Sequence, residues 1–217
     1  MSSNILEWII RIPVLLFAIT IHEYAHGKAA LSLGDPTAKN AGRLTLNPIS
    51  HIDPIGAICF FLFYIGWAKP VPVDVRYFQN RRRDIVLMAL SGPIANIAAA
   101  FVTGLFIRFF LIPWEAYLKL LAYMILMNTG LGLFNLLPIP PLDGSHVFEN
   151  ILPPSAARTY RQITRYAPFV FIGILLLDRV LHVGLLARLL GYPIFFITHL
   201  FAGDNIFSLF RAVGFLS

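Results

Sequence analysis

The sequence predicts an all-α polytopic membrane protein, with about five transmembrane helices and a short re-entrant or strand-like segment between the first two. Three observations lead there. Of the 217 residues, 58% are hydrophobic and only 13% charged, and the mean hydropathy is +0.73. Soluble domains carry about 45–50% apolar and about 25% charged residues, so this chain has too little polar surface to cover a water-facing globule. Several runs reach or approach the roughly 20 apolar residues that cross a hydrocarbon core. Finally, the basic residues are distributed unevenly between the two sides that those runs define.

Each element follows from local chemistry. The first span runs from Ile5 to Leu33 and ends at Gly34-Asp35-Pro36. The N-terminus lacks a basic region and a cleavage site, so it reads as the start of a span and not as a removed signal. Ala38 to Asn47 is polar and loop-like, and Ile55 to Trp67 is apolar but short, flanked by Pro54 and Pro70. That piece reads as re-entrant or interfacial, with a strand-like alternative from its Phe, Tyr and Ile content. A Pro-punctuated basic stretch, Lys69 to Asp84, belongs at a membrane surface. Ile85 to Ile112 and Trp114 to Leu137 are the next spans, and three prolines between Leu136 and Asp143 break the helix. Ile163 to Leu181 and Leu185 to Phe201 complete the five. The tail from Asp204, a plausible N-cap, to Ser217 suits an amphipathic helix in the interface plane. The organisation is then a catalytic membrane core over 1–150, with further helices and the tail over 151–217 in the same integral domain. There is no internal repeat.

The net charge of +6 reads as topology and not as an affinity for nucleic acid. With five spans and the first ending in the cytoplasm, twelve basic residues face that side and four (Arg108, Lys119, Arg179, Arg188) the other. The expectation is a multi-pass cell-membrane protein with its N-terminus outside and its C-terminus cytoplasmic. Cys59 is the only cysteine, which excludes an intramolecular disulfide and a Cys-rich zinc site.

The chemistry-bearing signal is His22-Glu23-Tyr24-Ala25-His26, the H-E-x-x-H pattern of helical metalloprotease sites. Residues four apart share one helix face, so both imidazoles can reach one ion. Glu23, rotated by about 100°, can stand beside that ion without binding it, where a general base must be. Ionisable groups inside a membrane helix cost about 2.5–3.5 kcal/mol each near its centre, which argues for function over an interfacial charge cluster. A catalytic zinc takes three protein ligands and keeps one position open. Asp143, in the broken-helix stretch, is the best third ligand. Alone it would read as a turn residue of an Asp-Gly pair; beside a two-histidine site lacking a carboxylate, it reads as a ligand. His, His and Asp with an open position suit one Zn2+ per chain. Ser91 to Asn96 and Ala98 to Ala100 form a small-residue stripe, read as helix packing with Asn96 bonded to a neighbour. Lys69 to Val73 is extended and helix-incompatible, either an edge for an incoming peptide or a plain connector. His182 and His199, near span ends, read as interfacial.

Taken together, HEYAH on a membrane helix, GRLTLNP followed by HIDPIG, GWAKPVPV, SGPIAN and NLLPIPPLDG resemble the site-2 protease family of intramembrane metalloproteases. The resemblance covers most of the first 150 residues and implies His22, His26 and Asp143 as zinc ligands and Glu23 as the base. It also implies Asn135 as a helper on the substrate or its oxyanion, and a membrane protein with a transmembrane helix as substrate. Asn47 and His51 fall within its signatures without an assigned role. Relative to that family the chain looks minimal, without a PDZ-like regulatory domain, and nothing after Ile151 matches a signature. The alternatives are a catalytically silent binding module for membrane proteins, disfavoured by the complete residue set, and a metal or proton transporter, disfavoured by the missing repeat.

Overall fold

The computed structural model describes residues 5–63, 66–181 and 184–212. It is all-helical, and among the described residues the only β-pairing is a single antiparallel bridge, Ile52 with Ala68. Helix α1 spans Ile5–Ser32 and ends where Gly34 takes a positive φ of 104°. A short helix α2 (Thr37–Asn40) and a 3-10 turn (Pro48–His51) lead to α3, Pro54–Phe63. An extended segment then carries the chain to α4 (Arg81–Phe109), and α5 covers Glu115–Asn135. After the proline-rich break come α6 (Asp143–Ile151), α7 (Pro154–Thr164), α8 (Ala167–Leu181), α9 (Leu185–Ala202) and α10 (Asn205–Ala212).

Helix α4 is the hub, packing on α5, α1, α6 and α9, while α1 and α5 also meet directly. Close approach is made possible by glycines. A Cβ on Gly104 would lie 2.5 Å from the Phe201 Cβ of α9, and one on Gly132 would lie 3.1 Å from Ile97 and the Pro93 carbonyl of α4. Outward faces stay apolar and exposed, as at Ile94, Phe101, Phe106, Tyr192 and Leu200. A surface like that would aggregate in water and is ordinary against lipid.

Among the described residues four helices are long and apolar enough to cross a membrane: Glu7–Ser32, Arg81–Phe109, Glu115–Asn135 and Leu185–Ala202. The expected span from Ile163 to Leu181 is instead split. Arg165 and Tyr166 form a turn, and α8 begins anew at Ala167, with Pro168, which has no N–H, in its first turn. At 15 residues, α8 is about 22 Å long against a core of about 30 Å.

Three further expectations need adjusting. The apolar piece after Pro54 is helical through Phe63 and not strand-like; Tyr64 and Ile65 lie outside the described residues. Gly56 lets this helix lean on the backbone of Trp67, because a Cβ there would meet the Trp67 carbonyl. The C-terminal helix is not free in the interface: Ile206, Leu209 and Phe210 are buried with Ile107, Leu121, Ala122 and Ile125. The side chain of Asp204 pairs with His199 at 3.1 Å. His182 and residues 213–217 lie outside the described residues.

Replacing Gly104 with Ala should push α9 away from α4 and cost about 1–3 kcal/mol, as overpacking does. A lowered thermal midpoint of the purified protein in detergent would register it.

Candidate metal centre

Helix α1 places His22 and His26 one turn apart, with ring centroids 4.6 Å from each other. Their Nε2 atoms stand 3.0 Å apart, and Asp143 Oδ2 lies 3.0 Å from the first and 3.2 Å from the second. Two donors bound tetrahedrally at about 2.0–2.1 Å from one ion would be about 3.4 Å apart, so a modest expansion accommodates it. The histidine side chains are 7% and 9% exposed and Asp143 20%, so the cluster opens on the carboxylate side. No other group of three metal-ligating side chains converges among the described residues.

The outer nitrogens decide the chemistry of the inner ones. His22 Nδ1 is 2.6 Å from Asn96 Oδ1, and His26 Nδ1 is 2.8 Å from the Met88 carbonyl. Both partners are oxygens that accept, so each Nδ1 carries the proton and each Nε2 presents a lone pair. With both rings neutral, two imidazole lone pairs then face the carboxylate, an arrangement that a cation stabilises. Pairing each ligand ring with an outer acceptor is how metal-binding histidines are oriented.

Room for the ion comes from α4. A Cβ on Gly92 would lie 2.4 Å from His26 Nε2 and 2.7 Å from His22 Nε2. Ser91 to Asn96 is therefore more than a packing stripe: Gly92 leaves space beside both Nε2 atoms, and Asn96 holds the His22 ring. The third ligand depends on the helix break. Asp143 opens α6, where the helix dipole favours its charge, and a Cβ on the next residue, Gly144, would strike the carbonyls of Leu136 and Leu137. Bare Gly144 lets the chain leaving α5 fold directly against the start of α6.

Glu23 reaches the extended segment, where its Oε2 accepts the Val71 N–H at 2.9 Å. That segment is tied down along its length. Its Lys69 N–H reaches the His51 carbonyl, and Arg43 donates to the Lys69 carbonyl at 2.9 Å. The Asp74 N–H is held by buried Asp35 at 2.8 Å. Arg76 hydrogen-bonds the Asp74 side chain and holds its carboxyl down at about 2. Asn47 caps the 3-10 turn by accepting from the Ile49 N–H, and buried His51 bonds the Thr45 carbonyl, so both build the loop that seats the segment. Asn135, the last residue of α5, donates to its own helix at the Leu131 carbonyl, 3.0 Å away. Asn96 bonds across to neighbouring helices, as the sequence led us to expect, whereas Gly92 and Val71 had no separate chemical signal. Only SGPIAN and GWAKPVPV marked their neighbourhoods.

Comparison with known proteins identifies the family. The model of Peptidase family M50 matches residues 111–177, which hold Asn135 and Asp143. The chain is 39% identical over 212 residues to "Putative zinc metalloprotease YwhC" of Bacillus subtilis, covering 92% of this chain and 90% of that protein. It is 30% identical over 174 residues to "Putative zinc metalloprotease Rip2" of Mycobacterium tuberculosis, covering 77% of this chain and 66% of that one. No solved structure matches. The chain belongs to peptidase family M50, the site-2 protease family, and its apolar helices make it a multi-pass membrane protein.

Gly92→Ala should fill the space between the two Nε2 atoms. Metal analysis of the purified variant should then find well below one divalent ion per chain, and that of the unaltered protein about one.

Proposed function

We propose that this protein is a zinc-dependent endopeptidase of the cell membrane that hydrolyses peptide bonds in or near transmembrane segments of other membrane proteins. The observation that carries this reading is the convergence of three lone pairs beside Gly92, with Glu23 one residue from the first ligand. When bound, zinc supplies Lewis acidity that polarises a carbonyl and makes water a better nucleophile near neutral pH.

The chain's own groups do the rest. Glu23 takes a proton from the attacking water and returns it to the leaving amide nitrogen. The Val71 N–H holds its carboxylate meanwhile. One N–H of the Asn135 amide is engaged by Leu131, and the second is free to donate to the substrate or its developing oxyanion, worth about 2.7–4 kcal/mol. A substrate helix hides its amides in its own hydrogen bonds, so it must unwind locally before attack. The first three crossings (α1, α4, α5) put residues 33–80 and 136–166 on one side whatever α8 does. The basic residues of those loops argue that this side is the cytoplasm, with the N-terminus outside and the site nearer the cytoplasmic face. A fifth crossing, and with it a cytoplasmic C-terminus, requires α8 to span.

The test is incubation of the purified protein in liposomes with single-span substrates, with and without a chelator. Cleavage should stop with the chelator and return with zinc. Glu23→Gln should keep its zinc and lose about 10²–10⁴-fold in cleavage rate, the usual contribution of a positioned base. Zinc-loaded Glu23→Gln protein that cleaves normally would remove Glu23 from that role. Stoichiometric zinc without cleavage of any such substrate would favour a silent binding module.

A further inference from the structure

We infer that Asn128 is a positioning residue for the ligand His22, acting through Asn96. The inference rests on the reading of His22 as a metal ligand and adds a residue two hydrogen bonds away, on a different helix.

The argument is one of direction. The Met124 carbonyl can only accept, so the amide nitrogen of Asn128 faces it, at 2.9 Å. That turns Asn128 Oδ1 toward α4, where it accepts from Asn96 Nδ2 at 3.0 Å. The same Asn96 nitrogen also reaches the Ala18 carbonyl of α1, at 2.9 Å. With both of its N–H groups committed, Asn96 has only its oxygen to offer His22 Nδ1, 2.6 Å away. His22 must then carry its proton on Nδ1 and its lone pair on Nε2, the tautomer a metal ligand needs. Each link fixes the next, and the sequence ends on a backbone carbonyl that cannot reverse. The Ala18 carbonyl holds one N–H of Asn96 directly, and Asn128 Oδ1 holds the other; loss of the second weakens the preference for the orientation that offers oxygen, and not NH2, to the imidazole.

The surroundings add weight. Asn96 and Asn128 are both 0% exposed, so water does not offer them alternative partners. Polar residues between membrane helices often serve only as glue. Here the glue reading explains the link from α5 to α4 but not its continuation to the outer nitrogen of a ligand ring.

The experiment is a zinc competition titration against a chromogenic chelator, with thermal stability measured on the same samples. Asn128→Ser keeps a hydroxyl for the Met124 carbonyl but is too short to reach Asn96. It should weaken zinc binding about 10-fold, within the roughly 10–100-fold range for losing a ligand's outer partner. Asn128→Leu should do the same, and serves if the serine variant is too unstable to purify. Asn128→Asp, as a neutral acid, has one O–H for Met124 and one oxygen for Asn96, and should restore most of the affinity. In combination with Asn96→Leu, Asn128→Ser should weaken binding no further than Asn96→Leu alone. Wild-type zinc affinity in Asn128→Ser or Asn128→Leu, with only stability lowered, would overturn the inference, as would losses that multiply in the double variant. If the unaltered protein takes up no zinc, the reading of the site itself fails; normal binding with insensitive variants removes only the role of Asn128.

Discussion

Two imidazole nitrogens and one carboxylate oxygen, each with a lone pair directed inward, stand 3.0–3.2 Å apart in a nearly buried pocket. Without a shared proton they repel, and the low local dielectric makes that repulsion expensive. A divalent ion turns the same arrangement into a strong site. Much of the fold can be read as the apparatus that holds these groups together against their own electrostatics. Helix α1 supplies the rings, α4 supplies the space at Gly92 and the outer acceptors, and the break after α5 delivers Asp143 from the side. The hub position of α4 follows from this division of labour.

The extended segment from Lys69 to Asp74 makes a second, related demand. Prolines at 70 and 72 keep it from joining a helix, and Arg43, His51 and Asp35 anchor its backbone. Its Val71 N–H meets the carboxylate of Glu23. Glu23 is thus held by backbone from a different part of the chain than the one that orients His22 and His26.

What was legible in the sequence was whatever depends on spacing along one element. His22 and His26 could be paired because a helix turn fixes their separation, and the break before Asp143 could be seen in its prolines. Partnerships between elements were legible only where the chemistry demanded one, as for Asp143 beside two histidines, or where a polar residue lay in a packing stripe, as for Asn96. Gly92 reads as any small residue in a packing stripe until two nitrogens are found against it, and Asn128 has no motif to mark it. The Phe and Tyr content of the piece after Pro54 suggested a strand-like alternative to a re-entrant element, but β-propensity is weak and context-dependent, and the piece is helical through Phe63. The expected span through Ile163 ignored the turn at Arg165 and Tyr166. The tail of the chain was read as an interfacial helix because its apolar face could not be matched to the end of the α4–α5 pair that buries it.

X-ray absorption at the zinc edge of the zinc-loaded protein reports most directly on the central claim. A first shell of nitrogen and oxygen at about 2.0–2.2 Å, with the outer-ring scattering of two imidazoles, is the expected result. A sulfur neighbour at about 2.3 Å, which only Cys59 or a methionine could supply, or a shell without imidazole, would contradict it.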